Sequence, residues 1–436
     1  MSGRGWRAVA ASVLISLVGV TISSILWQQR SRSTVESVSV RPARRSWADE
    51  QISQAEAKLR TLPGEANFYV ELATGFMNKA RESGDGSYYA RAEAACQKAF
   101  QLDPDNYGAL RLVAWIYGGQ HRFVQAREAA RRALARDPRD PWNYGTLGDA
   151  LVELGEYPAA AEAFQKMIDL RPDTASYSRA AYIRELYGDP EGAIEAMNMA
   201  LNAAGSRDSE QQVWCRSQLG NLFFNIGRIH EAGAHYETAL KIFPEYHYAL
   251  TGLARVRVAE QRYGEAVELY RTSLARVPTH EAAVGLGDLL THLGRNGEAS
   301  EAFRLLDVIE QINRANNIEP EPYMALFYAD HDRNLDEALR IAEHAAQQSK
   351  NVRVMDTLAW VLYKKGRYRE ALAASRQALR LGMKEALFYY HAGMIHAKLG
   401  HAKQAREALR QALQINPSFH PRHAAQARAM LNALGD

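Results

Sequence analysis

The chain has 436 residues, of which 47% are hydrophobic and 24% charged. That is enough for one long repeat array or for two to three ordinary domains, and too apolar for disorder throughout. The net charge of +3 hides an uneven spread: residues 1–65 carry nine Lys/Arg against five acids, and the remainder carries 44 basic and 45 acidic residues. The bulk therefore lacks the basic footprint of nucleic-acid binding, and with only Cys96 and Cys215 the chain has neither a disulfide framework nor a four-cysteine metal site.

Residues 1–7 form a short tail containing Arg4 and Arg7. Residues 8–27 are uncharged and long enough, as a helix, to cross a hydrocarbon core of about 30 Å. The serines and threonine in this run can return their hydroxyls to the helix backbone. A cleaved signal peptide would have a shorter apolar core and an Ala-x-Ala site. This run instead ends Ile25-Leu26-Trp27-Gln28-Gln29-Arg30. We therefore expect 8–27 to be a transmembrane anchor of a single-pass protein. The short basic start favours repeats outside the cytoplasm, whereas Arg30, Arg32, Arg41, Arg44 and Arg45 just after the anchor oppose that orientation. Residues 28–45 are polar and aperiodic and read as a flexible basic stalk. Residues 46–65 predict an N-terminal capping helix, with Ala48, Ile52, Ala55, Leu59 and Leu62 on one face and a stop at Pro63-Gly64.

From residue 66 a 34-residue period dominates. The copy at 213–246 shows the pattern most fully, with Leu219-Gly220, Phe223, Ala232, Tyr236, Ala239 and Pro244. Small residues at the eighth, twentieth and twenty-seventh positions let two helices cross closely, and the aromatic between the last two fills the gap. Pro after the second helix stops it. Equivalent sets recur at 107–140, 141–174, 247–280 and 386–419, and weaker ones at 174–207, 280–313, 319–352 and 352–385. The first copy, 66–106, needs seven extra residues near Ser83–Ser87, expected between its helices. Extra residues also fall at 208–212 and 314–318, where the stacking is expected to loosen or kink. Residues 420–436 predict a C-terminal capping helix that shields the last hairpin, with Ala424, Ala427, Met430, Leu431 and Leu434 on one face.

Over residues 66–419 this pattern resembles the tetratricopeptide repeat (TPR) superfamily. It looks most like bacterial membrane-anchored TPR proteins without a catalytic domain. The segments behind that likeness are Arg184-Glu185-Leu186 with Gly188-Asp189, Asp356-Thr357-Leu358-Ala359-Trp360, and His391-Ala392-Gly393-Met394-Ile395 ahead of Asn416-Pro417. The resemblance implies an all-α solenoid, a right-handed superhelix of about ten helical hairpins, in a bacterial inner-membrane protein whose concave groove is lined by the first helix of each hairpin.

No enzyme chemistry is expected. His230 and His235 are five apart rather than four, Asp330-His331-Asp332 is one short run at a hairpin turn, and Gly118-Gly119 follows no strand. No cofactor and no metal are expected, and the two cysteines read as separate buried thiols. The groove is expected to hold protein partners as extended segments, with Trp115, Trp142, Asp149, Tyr182, Trp214, Asn221, Asn225, Arg255, Asp288, Phe327, Trp360, Tyr363 and Tyr390 as contact residues. Aromatic and arginine side chains are common anchors at interfaces. The Lys/Asn/Arg carboxylate clamp of chaperone-binding TPR domains is incomplete here: Asn221 and Arg255 fit it, but Ser217 stands where the lysine would be. The expected function is a membrane-tethered scaffold or adaptor. The alternative is a carbohydrate-binding or assembly accessory factor in envelope polysaccharide export. The oligomeric state is left open.

Overall fold

The structure is a computed structural model that describes residues 47–83, 85–205, 209–315 and 322–435, without the side chains of 312–315. The tail, the anchor at 8–27 and the stalk at 28–45 lie outside these residues. Among the described residues no helix is long and apolar enough to cross a membrane, and all the regular structure is helical. Helix α1 (Trp47–Thr61) leads into ten hairpins. Hairpin 1 is α2 (Ala66–Ser83) and α3 (Ser87–Leu102), hairpin 2 is α4 (Tyr107–Gly119) and α5 (Phe123–Arg136), and hairpin 3 is α6 (Pro141–Glu153) and α7 (Tyr157–Leu170). Hairpin 4 is α8 (Thr174–Leu186) and α9 (Pro190–Ala203), hairpin 5 is α10 (Ser209–Asn225) and α11 (Ile229–Ile242), and hairpin 6 is α12 (His247–Ala259) and α13 (Tyr263–Arg276). Hairpin 7 is α14 (His280–His292) and α15 (Asn296–Ala315), and hairpin 8 is α16 (Pro322–Asp330) and α17 (Leu335–Gln348). Hairpin 9 is α18 (Val352–Lys364) and α19 (Tyr368–Ala378), hairpin 10 is α20 (Ala386–Lys398) and α21 (Ala402–Ile415), and α22 (Pro421–Leu434) ends the stack.

The small positions do what the period requires. Ala232 and Ala239 have no exposed surface, and Tyr236 is 1% exposed between α10 and the next hairpin. A Cβ on Gly220 would come within 2.6 Å of the Tyr236 ring, and one on Gly252 within 2.3 Å. Two glycines from successive hairpins thus clasp one ring, whose hydroxyl donates to Asn221 Oδ1 at 2.7 Å. Polar caps start several helices: Asn106, Asp140, Asp173, Asp189, Thr279 and Asn351 accept backbone N–H bonds. The extra residues expected between the helices of hairpin 1 go largely into the helices themselves. They lengthen its helices to 18 and 16 residues, because a helix satisfies backbone groups that a loop would leave to water. Similarly, Ser209–Gln212 form the first turn of α10.

Between the two helices of most hairpins one residue has positive φ. Gly155, Gly188, Gly227, Gly294, Gly366 and Gly400 take it at 72–79°, whereas the equivalent Gln261 sits at 60°. The Gln261 side chain is exposed, so Gln261→Gly is expected to stabilise the array by about 1 kcal/mol by removing left-handed strain. Urea titration checks this.

The array, Ala48–Asp436, is one compact unit, and it coils far enough to meet itself. The turns inside hairpins 3, 4 and 5 rest on the loops after α17, α19 and α21. Cβ atoms built on Gly155, Gly188 and Gly227 would meet Lys350, the Gly382 carbonyl and the Ile415 carbonyl. At the end of α6, Glu153 O accepts from Ser349 Oγ at 2.6 Å and from Lys350 N at 3.0 Å. Near the end of α10, Phe224 O accepts from Asn416 Nδ2 at 2.7 Å. Helix C-terminal carbonyls lack partners within their own helix, and this seam supplies them from residues nearly 200 positions away. Val352 N also donates to Tyr157 Oη at 2.9 Å. An apolar cluster joins the two sides: Leu151, Val152, Tyr157, Ile183 and Leu186 pack with Val352, Ala378, Met383 and Phe388. Burial pushes the Glu153 carboxyl up and the Tyr157 phenol up to about 12.

Candidate partner-binding groove

The first helices of the hairpins line the concave side, and the expected contact residues divide into three groups there. In hairpins 2 and 3, Trp115 and Trp142 are half-buried and meet edge to face at 5.3 Å and 81°. The Arg111 guanidinium lies 5.1 Å from the Trp142 ring and 2.7 Å from Asp140, with 41% of its side chain exposed. Trp142 Nε1 has no acceptor. Two turns further along α6, Asp149 takes two bonds from Arg179 of α8, at 2.9 and 2.6 Å. This stretch presents aromatic faces, a cation and a carboxylate side by side.

In the middle, ion pairs line the concave wall. Arg353 of α18 lies 3.7 Å from both Glu185 of α8 and Glu385, just ahead of α20. Desolvation opposes the Arg353 charge, but Glu185, Tyr182 and Glu385 outweigh it and hold the guanidinium protonated. Burial raises the Glu385 carboxyl, partly offset by Arg353. Arg255 stacks over Phe224 at 4.2 Å and pairs with Glu281 at 3.3 Å. Asn225 donates to Glu185 at 3.1 Å, Asn221 is taken by Tyr236, and Trp214 packs half-buried against the core of hairpins 4 to 6. Tyr182 is half-buried beside Arg353. The groups with charge to offer a partner here are already engaged with one another.

Towards the C-terminus the expectation of an open groove is corrected. Phe327, Trp360 and Tyr390 are 2%, 2% and 1% exposed, and the Asp288 side chain is 10% exposed. Trp360 stacks on Tyr363 at 4.7 Å and on His391 at 4.2 Å, and its Nε1 donates to Asp330 at 2.8 Å. Phe327 is enclosed by Phe303, His331 and His280. Tyr390 is covered by His423 and donates to Gln426 of α22 at 2.6 Å. Helix α22 therefore does more than shield α20 and α21: its first turn reaches α14, where His420 and Arg422 lie 3.3 and 3.8 Å from Asp288.

The residues of Asp330-His331-Asp332 part company. Asp330 serves Trp360, His331 lies 2.8 Å from Asp288, and Asp332 pairs with Lys364. Among the described residues no group of three or more His, Cys, Asp or Glu is arranged to hold a metal ion. Cys96 and Cys215 are buried thiols that form no disulfide, and burial pushes the Cys96 thiol up to about 12. Sequence reasoning missed Arg179, Arg353, Glu185, Glu281 and Glu385. Their pairings cross between hairpins, and the Arg353–Glu185 pair joins residues of hairpins 9 and 4, which no single-repeat pattern signals.

Tetratricopeptide repeat family profiles match residues 119–182, 217–281, 251–311 and 357–418. The chain is 24% identical over 421 residues to cellulose synthase operon protein C of Pseudomonas fluorescens, covering 88% of this chain and 31% of that protein. It is 22% identical over 358 residues to a TPR repeat-containing protein of Methanocaldococcus jannaschii, covering 76% and 61%. It is 29% identical over 142 residues to anaphase-promoting complex subunit 7 of Arabidopsis thaliana, covering 32% and 24%. The chain thus spans less than two thirds of the length of each. Among solved structures, a thermophilic TPR protein of Thermus thermophilus has 22% identity and a TM-score of 0.38, covering 47% of this chain and 99% of that one. PilW, a type IV pilus biogenesis factor, has 18% identity and a TM-score of 0.39, covering 49% and 95%.

Proposed function

Because the chain belongs to the tetratricopeptide repeat family, whose members are scaffolds that bind protein partners, we propose that it is a non-catalytic adaptor holding extended protein segments at the concave face of hairpins 2 and 3. The observation that carries this is the half-buried Trp115–Trp142 pair with Arg111 beside it. Flat aromatic rings bury area at little entropic cost, and arginine supplies a directional donor, which is the composition of binding hot spots. The ion-paired and covered stretches further along leave hairpins 2 and 3 as the favoured site. Residues 8–27 tether this adaptor to a membrane, with the array on the extracytoplasmic side. A reporter fused to the C-terminus, active on one side only, tests that orientation.

Peptides selected from a random library on the full chain provide the binding test. Trp142→Ala is expected to weaken the selected peptides by about thirtyfold, equivalent to about 2 kcal/mol, and Trp115→Ala by a similar amount. Unchanged affinity in both variants rejects the site. A second reading follows from the likeness to a cellulose synthase operon protein together with the same tryptophans, whose faces also suit sugar rings: the array would serve envelope polysaccharide export by binding glycan. Titration with cello-oligosaccharides, followed by tryptophan fluorescence, separates the two readings, because only the glycan reading expects a saturable change.

A further inference from the structure

Helix α22 is started by an unusual residue. His420 is its N-cap, and its Nδ1 accepts from the backbone N–H groups of Arg422 and His423, each at 3.3 Å. Its Nε2 lies 3.3 Å from Asp288 Oδ2 on α14, so that nitrogen carries the proton and faces the carboxylate. The ring therefore works only with a free lone pair on Nδ1. A proton there would point at two backbone N–H donors and abolish the cap. Serine, threonine, aspartate and asparagine, the usual caps, stay acceptors through the range where histidines titrate.

Further ionisable groups surround the cap. Asp288 Oδ1 also meets His331 Nε2 at 2.8 Å, while His331 Nδ1 faces the Phe327 carbonyl at 2.8 Å. Burial acts to raise the Asp288 carboxyl, but His331 and His420 outweigh it and hold it well below the usual carboxylate range. His423 stacks on His420 at 4.2 Å and on Tyr390 of α20 at 4.8 Å, with Nε2 3.4 Å from Asp330 of α16. Its Nδ1 is buried without a partner. Facing it are also His391 of α20, paired with Asp356 of α18 at 2.9 Å, then Arg422 of α22 itself and Lys364 of α18. Burial, followed by the charges of His420, His391, Arg422 and Lys364, pushes His423 well below the ordinary histidine value. A folded pKa below the unfolded one means that the neutral ring stabilises the docked helix. That contribution is full above about pH 6.5 and is lost progressively as pH falls from there towards the folded value.

We propose that α22 is an acid-releasable cover over the concave side of hairpins 7 to 10, held by the His420 cap and by neutral His423, and that protonation of His423 undocks its first turn and uncovers Tyr390, Asp288 and Asp330. This device goes beyond the scaffold reading and does not depend on any partner's identity.

Hydrogen exchange of the full chain at about pH 7.5 and about pH 5.5, with rates normalised to chemical exchange, tests it. Protection within 421–434 is expected to fall by about tenfold or more on acidification while that of α12 holds. His423→Phe keeps the stack on Tyr390 and removes the titrating ring, while the His420 cap is left in place. This variant is expected to confine the change to about twofold. Should that variant already lack protection at the higher pH, His423→Gln is read in its place, and the acid loss must shrink relative to the parent chain. Equal protection at both pH values in the parent, or an undiminished loss in the readable variants, overturns the proposal.

Discussion

Gly188→Val opens the seam. The residue sits at φ +74°, and a Cβ there would come 2.3 Å from the carbonyl oxygen of Gly382, a backbone atom that no rotamer change can move aside. Part of the cost is local, because a β-branched residue in the left-handed region loses about 1–2 kcal/mol wherever it occurs. Gly400→Val isolates that part: its φ is +76°, and nothing lies within 4 Å of a Cβ there. Small-angle scattering should show a larger radius of gyration for Gly188→Val only. The Lys350 and Val352 amides, bonded across the seam to Glu153 and Tyr157, should lose exchange protection in the same variant. Indistinguishable behaviour of the two variants would mean that the coil does not close in solution.

Tyr236→Ala is expected to cost hairpins 5 and 6 about 3–5 kcal/mol, the range for emptying a buried aromatic site. Gly220 and Gly252 have no side chains with which to refill the space, so the cavity cannot collapse locally. Tyr236→Phe should cost about 1 kcal/mol, because it removes only the bond to Asn221, which keeps some access to water. Urea titration of the parent and both variants reads these values. A loss below about 1 kcal/mol for Tyr236→Ala would mean that the neighbouring hairpins slide together to fill the gap.

The contrast between these two sites explains what was legible in the amino-acid order. Gly220, Ala232, Tyr236 and Ala239 make their contacts within one hairpin or with its neighbour, so a 34-residue period contains the whole argument. The exposure of Trp360 and Tyr390 depends instead on how tightly the coil curls and on where α22 places its first turn. Both residues occupy repeat positions that face an open groove in an ideal array, and both are enclosed here. Trp115 and Trp142 hold the same kinds of position and are half-buried. The role of His420 was hidden for a different reason: a histidine cap lacks the Ser/Thr/Asp/Asn signature, and it becomes informative only once Asp288 is seen on its other nitrogen.

The seam also sets an order of events as the chain folds. Most other packing contacts lie within a hairpin or between neighbouring hairpins, so each hairpin can form and dock on its neighbour quickly, as expected for low contact order. The bonds from Ser349 and Lys350 to Glu153 must instead close a loop of nearly two hundred residues, whose entropic cost is met only after the intervening hairpins are in place. Refolding should therefore show a fast phase in which the array assembles in either direction, followed by a slower step in which its two edges register. The slower step should be missing from Gly188→Val.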